Sequence, residues 1–445
     1  MKIVIAGDGV TGTYLADILS VENQDVVLMG QNAAHLQALS MQCNYITFEG
    51  SPLLRRHLEQ CGINEADLFI SVLLSETENL VACSIAKEMG ARRCVARIDT
   101  PEFDSQAERT LFRRMGVDDV MYPERLAAQE LKNFLSHNWV SEWLPIGKGE
   151  LYVTGVRMEP SGMLCGTELR HVPNNPRLFH VVAIKRDSEI ILPHGDDRLL
   201  AGDTVFFSTD PANLHLLPGY CGKQLTDTRR IMIAGGGRIT ENLLELTQGC
   251  GYDITVFDPD PERCSLLAGK FPKTVVANAA VNDLNTLRDE GLSTCDTFLA
   301  LTGSSETNIV ACMVARENGV RSTVARIEEL QYRPEAENLN INKIISKKLL
   351  NTGKIFNSLV GCNVSTSASA ISLGTAEVSE LLALPTSKIT SRPIAELSLP
   401  REITVAGYIR DGKGHLAEGS TQIRPGDYVA LFSLAGSLQR VLKFF

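Results

Sequence analysis

The sequence predicts an α/β protein built twice over: two Rossmann-like, doubly wound parallel-sheet domains, each followed by a small α+β or β-rich module. Three observations predict it. Strand-like and helix-like segments alternate, and the strands are unbroken apolar runs, as expected of a parallel sheet covered on both faces. The segment SETENLVAC at 75–83 returns as SSETNIVAC at 304–312, so that Asn79 and Asn308 stand 229 positions apart, and ARID at 96–99 returns as ARIE at 325–328. After each such unit the helical period fades and short strand-like runs appear between turn signals.

In the first repeat, KIVIA reads as a strand and Val10 to Val21 as a helix. DVVLM is the second strand and Ala33 to Met41 the next helix. YITFE, DLFISVLL and CVARI follow as strands, with helices over Leu53 to Cys61 and Glu76 to Met89 between them. From about 150 to 218 the runs LYVTGVRM, HVVAIKR and DTVFFST are strand-like, and PHGDDRLLAGD at 193–203 reads as two tight turns flanking a short strand. TVAGYIRDGKGHLAEGSTQIRPGDYVALF is its C-terminal counterpart, with Gly202-Asp203 and Gly426-Asp427 224 apart. Boundaries near 140, 225 and 360 divide the chain into 1–138, 139–222, 228–355 and 362–445.

Bulk properties narrow the function classes. The 445 residues are 44% hydrophobic and 22% charged, with a formal net charge of -10. A nucleic-acid surface would be basic, so none is expected. No apolar run approaches the roughly 18–20 residues that span a bilayer. The start, MKIVIAGDG, lacks the apolar core of a secretory signal, which predicts a cytoplasmic protein. The 11 cysteines include no CxxC pair. They read as free thiols of a reducing compartment, with no metal site.

The chemistry sits in the glycine turns. Gly7-Asp8-Gly9-Val10-Thr11-Gly12 is a complete GxGxxG between a strand and a helix. Glycine there allows a tight turn and close approach of a pyrophosphate, and the helix start offers free N–H donors. The second turn, Gly235-Gly236-Gly237-Arg238-Ile239-Thr240, carries threonine in place of the third glycine. A Rossmann site places an acid at the end of the second strand to hold the ribose hydroxyls. Asp258 in ITVFDPD meets that need; counting the same way in the first repeat lands on Gly30, so no carboxylate is expected there. Arg238 lies where a guanidinium could bind phosphate oxygens. Asn79 and Asn308, on a helix facing the carboxyl edge of the sheet, are candidate ligand contacts, as are Arg97 and Arg326 at the ends of the fifth strands. Asp67 and Asp296 read as loop acids, Glu76 and Glu306 as first-turn acids that favour the helix dipole, and His194 as a turn residue.

These tandem turns, SETN-VAC helices, ARI strands and GD-turn modules resemble the TrkA family of Trk potassium-uptake regulators, within the RCK/KTN gating proteins. The resemblance covers nearly the whole chain in the same order. It implies a non-catalytic protein, peripheral on the inner face of the membrane, that forms a homo-oligomer (dimer or tetramer). The implied ligands are NAD(H) or ATP/ADP, and the implied partner is an integral-membrane potassium-translocating subunit of TrkH type. The implied second-half contacts are Gly235 to Ile239, Asp258, Asn278-Ala279, Leu301-Thr302 and Arg326; their first-half equivalents are Gly7 to Thr11, Gly30, Gly50-Ser51, Leu73-Leu74 and Arg97. Gly30, in place of the family's acid, and Asn278-Ala279-Ala280 depart from its pattern. Two alternatives are an NAD-dependent oxidoreductase, which needs a proton-transfer residue beside the nicotinamide, and a scaffold whose halves have lost their ligand.

Overall fold

KIVIA begins a strand because every residue after Lys2 in it is buried, and β-branched side chains suit a pleat covered on both faces. The computed structural model describes residues 1–445 apart from 22–23, 173–177, 188, 225–226, 333–335, 337, 364–368, 373–375 and 435–436. The boundary expected near 225 falls outside the described residues.

The first parallel sheet contains β1 (Lys2–Ala6), β2 (Asp25–Gly30), β3 (Ile46–Glu49), β4 (Leu68–Ser71), β5 (Cys94–Arg97) and β6 (Asp119–Met121), in the order β3-β2-β1-β4-β5-β6. This is the doubly wound Rossmann order. Its helices are α1 (Val10–Val21), α2 (Ala33–Ser40), α3 (Arg55–Gln60), α4 (Glu76–Glu88) and α5 (Gln106–Arg114); α6 (Pro123–Ser136) follows the sheet. Ser75 caps α4 by accepting from Glu78 N–H at 3.3 Å, and the cap fixes where the chain turns over the strand ends.

A five-stranded sheet comes next, in the order β10-β9-β11-β8-β7: β7 (Glu142–Ile146), β8 (Leu151–Arg157), β9 (His180–Arg186), β10 (Glu189–Ile191) and β11 (Thr204–Thr209), before the short α7 (Leu217–Cys221). The second parallel sheet repeats the first as β14-β13-β12-β15-β16-β17: β12 (Arg230–Ala234), β13 (Asp253–Asp258), β14 (Val275–Asn278), β15 (Thr297–Ala300), β16 (Ser322–Arg326) and β17 (Lys343–Ile345). Its helices are α8 (Arg238–Thr247), α9 (Pro261–Lys270), α10 (Leu284–Asp289) and α11 (Ser305–Glu317), followed by α12 (Lys347–Asn363). The last sheet has the order β18-β19-β22-β20-β21, from β18 (Ser369–Ser372), β19 (Ala376–Leu382), β20 (Ile403–Arg410), β21 (Lys413–Leu416) and β22 (Tyr428–Leu434), and α13 (Leu438–Leu442) closes the described chain. Matched by sequence offset, the two five-stranded sheets have one topology.

The GD turns have the same structural use in both modules. Asp203 is buried and receives two bonds from Arg186, at 2.9 and 2.8 Å, and one from Leu200 N–H at 2.8 Å. Asp427 receives the same set from Arg410 and Arg424 N–H. The hydrogen bond that Arg186 donates to Asp203, set against partial burial, raises the pKa of Arg186 above the ordinary arginine value, so the ion pair stays charged.

The chain packs as two compact units that do not follow chain order. One comprises Met1–Pro123, Pro145–Leu151 and Lys348–Phe445; the other comprises Glu124–Leu144 and Tyr152–Lys347. Within the first unit, Lys354 of α12 pairs with Asp119 of β6 at 2.8 Å. Within the second, Lys343 of β17 is buried between Glu130 of α6 and Glu142.

Four segments differ from expectation. Each parallel sheet has a sixth strand of three residues, too short to carry a period of its own. The DLFISVLL strand ends at Ser71, because the chain turns into the loop held by Asn79. PHGDDRLLAGD contains no strand among its described residues, only a bridge between Glu168 and Arg198, since the Asp203 carboxylate ties its end into a turn. The described cysteines are free, and burial pushes the Cys61 and Cys295 thiols up to about 12, which keeps them protonated and inert.

Candidate functional site

The strand order places β1 between β2 and β4, so the connections leave its carboxyl end on opposite faces and open a crevice there. The glycine turn lies in that crevice. Gly7 has φ +122°, and a Cβ on it would lie 2.9 Å from the Val72 carbonyl oxygen. Its N–H donates to the Met29 carbonyl at 2.9 Å, joining the turn to β2. A Cβ on Gly12 would overlap the Gly7 carbonyl, so the third glycine is required by helix packing. Gly9, Val10 and Thr11 lie at or near the surface.

The second turn repeats this arrangement. Gly235 has φ +107°, and its N–H donates to the Phe257 carbonyl at 2.8 Å. Thr240, where the first turn has Gly12, is accommodated by a hydrogen bond from its hydroxyl to the Gly235 carbonyl at 2.5 Å. Gly237 is an exposed N-cap with no side-chain hydrogen bond, which leaves the first amides of α8 pointing outward beside Arg238 and Ile239.

The ribose position needs a correction. The first crevice does have a carboxylate, and it comes from the turn. Asp8 reaches across to the end of β2, and its Oδ2 accepts from Asn32 N–H at 3.0 Å. A Cβ on Gly30 would lie 2.3 Å from Asp8 Cγ, so Gly30 is the residue that makes room for this side chain. In the second crevice the acid is on the strand. Asp258 Oδ2 accepts from Gly236 N–H at 2.6 Å, and its Oδ1 from Asp260 N–H at 2.9 Å. Gly236 stands where the first turn has Asp8, Asp258 where β2 has Gly30, and Asp260 where α2 has its cap Asn32. Asn32 and Asp260 each cap the following helix through their side chains.

Asn79 and Asn308 are corrected as well. Both are buried, and neither has a hydrogen-bonding position left for a ligand. Asn79 Oδ1 accepts from Ser71 Oγ and Leu73 N–H, at 2.8 and 2.7 Å, and its Nδ2 donates to the carbonyls of Leu73 and Arg97. Asn308 does the same with Thr302 and the Arg326 carbonyl. They clasp the loop after the fourth strand to the end of the fifth. This clasp also corrects the register: Leu73 corresponds to Thr302 and Val72 to Leu301, while Leu74, 95% exposed, lies one residue beyond. Arg97 and Arg326 pair with the acids two residues on, Asp99 at 3.0 Å and Glu328 at 2.6 Å, on the same carboxyl edge.

A second exchange lies beside the clasp. Glu76, in the first turn of α4, accepts from Asp99 N–H, Thr100 N–H and the Thr100 hydroxyl, at 2.8, 2.9 and 2.5 Å. In the second half the hydroxyl is on the helix and the acid on the loop: Ser305 Oγ donates to Glu329 and accepts from Glu328 N–H. Glu76 therefore corresponds to Ser305 rather than to Glu306. Asp67 and Asp296 hold the amino ends of the sheets by accepting from Lys2 N–H and from Arg229 and Arg230 N–H.

The expected loops after β3 and β14 border the two crevices, and Arg263 is a site residue that the sequence reading missed. Gly50 N–H donates to the Gly30 carbonyl, and Ser51 N–H to His57 Nδ1 at 2.9 Å, fixing the loop after β3. Asn278 Nδ2 and Ala279 N–H both donate to the Asp258 carbonyl. Arg263 of α9 donates to the Gly236 carbonyl and to Glu241. Burial alone would raise the Glu241 carboxyl; the hydrogen bonds from Arg263 and Lys270 outweigh it and hold it below the ordinary glutamate range. No signal adjacent to the glycine turn marks Arg263, because it approaches from the next helix. Among the described residues, no group of three His, Cys, Asp or Glu is placed to hold a metal, and no helix is long and apolar enough to cross a membrane.

Comparison with known proteins agrees with this geometry. Residues 153–218 match the family model described as TrkA-C domain, and residues 3–123 and 231–347 match that described as TrkA-N domain. The Trk system potassium uptake protein TrkA of Halomonas elongata is 26% identical over 440 residues, covering 97% of this chain and 95% of the relative. The TrkA homolog 1 of Methanosarcina mazei is 26% identical over 456 residues, covering 100% of both. The solved structure of the GsuK channel bound to NAD is 15% identical with a TM-score of 0.63, covering 99% of this chain and 78% of that one, a likeness of fold. Since its two TrkA-N matches together span more than half of its length, the chain belongs to the TrkA-N domain family and carries that domain in duplicate.

Proposed function

We propose that this protein is a cytoplasmic, non-catalytic regulatory subunit that binds NAD(H) or ADP/ATP and gates an integral-membrane potassium-translocating partner of TrkH type. The observation that carries the reading is the pair of glycine turns at the carboxyl ends of β1 and β12. In each, a positive-φ glycine leads into a helix start, with a carboxylate across the crevice. Gly7 to Thr11 and Gly235 to Ile239 would receive the phosphates, with Arg238 adding charge in the second half. The loops at Gly50-Ser51, Leu73, Asn278-Ala279 and Leu301-Thr302 would border the adenosine. The near-full-length likeness to TrkA proteins of potassium uptake supports the choice of partner. On this reading the working segments are 1–138, 139–222, 228–355 and 362–445, assembled as a homo-oligomer on the inner face of the membrane.

A bound nucleotide shifts a gating equilibrium only by its differential affinity for the two states. Tenfold differential binding supplies about 1.4 kcal/mol per site, so several sites acting on one assembly are enough to invert an open/closed ratio. Equilibrium dialysis of the full chain against NADH, ADP and ATP tests the reading. Saturable micromolar binding of at least one is expected, and no binding to any overturns it. Steady NADH oxidation with a small carbonyl substrate would instead favour an oxidoreductase.

A further inference from the structure

We infer that Asp8 is the ribose-binding carboxylate of the first crevice, and that both halves of the chain are nucleotide sites, the acid being supplied from the turn in one and from the strand in the other. The inference rests on the nucleotide-binding reading above and deepens it.

The argument is positional. The strand registers are the same in the two sheets: Ala6 pairs with Met29 and Ala234 with Phe257. The next residue in each turn, Gly7 or Gly235, donates its N–H to the carbonyl of that partner. From this fixed frame, Asp8 and Gly236 are one residue further along the turn, and Gly30 and Asp258 one residue further along the second strand. Each crevice thus has one glycine and one aspartate at these two facing positions, in opposite order.

The two carboxylates also occupy equivalent places, each in its own crevice. Asp8 accepts the N–H of Asn32, and Asp258 accepts the N–H of Asp260, the matching helix cap. A carboxylate at the end of the second strand beside a glycine turn is the group that receives ribose hydroxyls in a Rossmann site. Asp8 is only partly buried, so oxygen valence beyond the Asn32 bond is open to a ligand.

The exchange is sterically coupled. With Asp8 in place, a Cβ at position 30 would lie 2.4 Å from Asp8 Cβ and 2.3 Å from its Cγ. With Asp258 in place, a Cβ at position 236 would lie 3.3 Å from Asp258 Cβ and 2.8 Å from Leu267 Cδ1. One acid per crevice fits, and a second would put two like charges in one small space. An aspartate in the turn and a glycine on the strand are therefore a matched pair, and the loss of the strand acid at Gly30 does not disable the crevice.

The test is isothermal titration of the full chain with ADP and with 2′-deoxy-ADP. The expected result is two equivalents of ADP per chain, with weaker binding of the deoxy analogue at both sites. Asp8→Asn, which keeps the Asn32 contact, should weaken one equivalent about ten- to hundredfold, the value of a hydrogen bond to a charged group, and leave the other unchanged. Asp258→Asn should do the converse. Asp8→Gly combined with Gly30→Asp should return the first site to within about threefold, whereas Gly30→Asp alone should not. Thermal melts confirm that each variant is folded. One equivalent per chain, abolished by Asp258→Asn and indifferent to Asp8→Asn, overturns the inference and leaves the nucleotide-binding reading standing. Absence of ADP binding at both sites overturns the inference, and if NADH and ATP also fail to bind, the nucleotide-binding reading falls with it.

Discussion

Lys343 Nζ lies 2.9 Å from Glu130 Oε1, and the equivalent contact, Asp119 to Lys354, has its charges reversed. In each unit the contact joins the sixth strand of one parallel sheet to the helix that follows the other sheet. Like-with-like pairing of helix and strand would set Glu130 against Asp119 and Lys354 against Lys343, a repulsion that discriminates between arrangements. Desolvation alone would lower the pKa of Lys343; the charges of Glu130 and Glu142 outweigh it and raise the pKa above the ordinary lysine value. A raised lysine contributes stability throughout neutral pH and loses it only as pH climbs through the raised value. Lys343→Met leaves two carboxylates uncompensated, and a loss of about 3–5 kcal/mol in the unfolding free energy of that unit is expected from urea denaturation at pH 7.

The Asn79 clasp predicts that shape alone will not substitute for an amide. Asn79→Asp is nearly isosteric but cannot donate to the Leu73 and Arg97 carbonyls. It should cost at least as much as Asn79→Ala, about 2–3 kcal/mol, from unpaired buried groups. Thermal unfolding of the two variants measures this; an unchanged midpoint for Asn79→Asp would remove the clasp from the account.

The GD turns predict parallel losses in two places. Asp203→Ala strands Arg186, and Asp427→Ala strands Arg410. Each should cost about 1–3 kcal/mol, and the costs should add in the double variant, as independent sites do. Denaturant midpoints of the two singles and the double check both statements.

His137 predicts an acid-sensitive step. Burial lowers its pKa below the ordinary 6.5, and its ring stacks on Trp143 at 3.6 Å between centroids. The unfolded chain then binds a proton that the folded one refuses, so stability falls as pH drops from about 6.5 toward the lowered value and levels off below it, by up to about 1.4 kcal/mol per pH unit. His137→Phe should remove that slope. Tryptophan fluorescence across a pH 7.5 to 5 series of urea melts follows it.

Much of this was legible in the sequence for physical reasons. Apolar runs such as DVVLM and the spacing of Asn79 and Asn308 carry the doubled parallel sheet, because period and repetition are local or directly countable. The glycine turns were legible because only glycine tolerates the positive φ at positions 7 and 235. The first-half carboxylate was not. Counting along the strand finds Gly30, and only the fold brings Asp8 across the 21 intervening positions to stand in for an acid. Asn79 was misjudged because an asparagine facing a strand edge looks the same in sequence whether its amide is free or spent. The exchange of helices between the two units has no local signature at all.

The Glu76–Thr100 and Ser305–Glu329 contacts bear on how such a gene can be engineered. The halves of this duplicated protein have drifted by trading roles across a contact, so each residue is sensible only alongside its own partner. Averaging the two repeats into an idealised unit, or splicing α4 of one into the other, would bring two acids face to face or leave none. A chimera built from this chain must inherit its paired positions together.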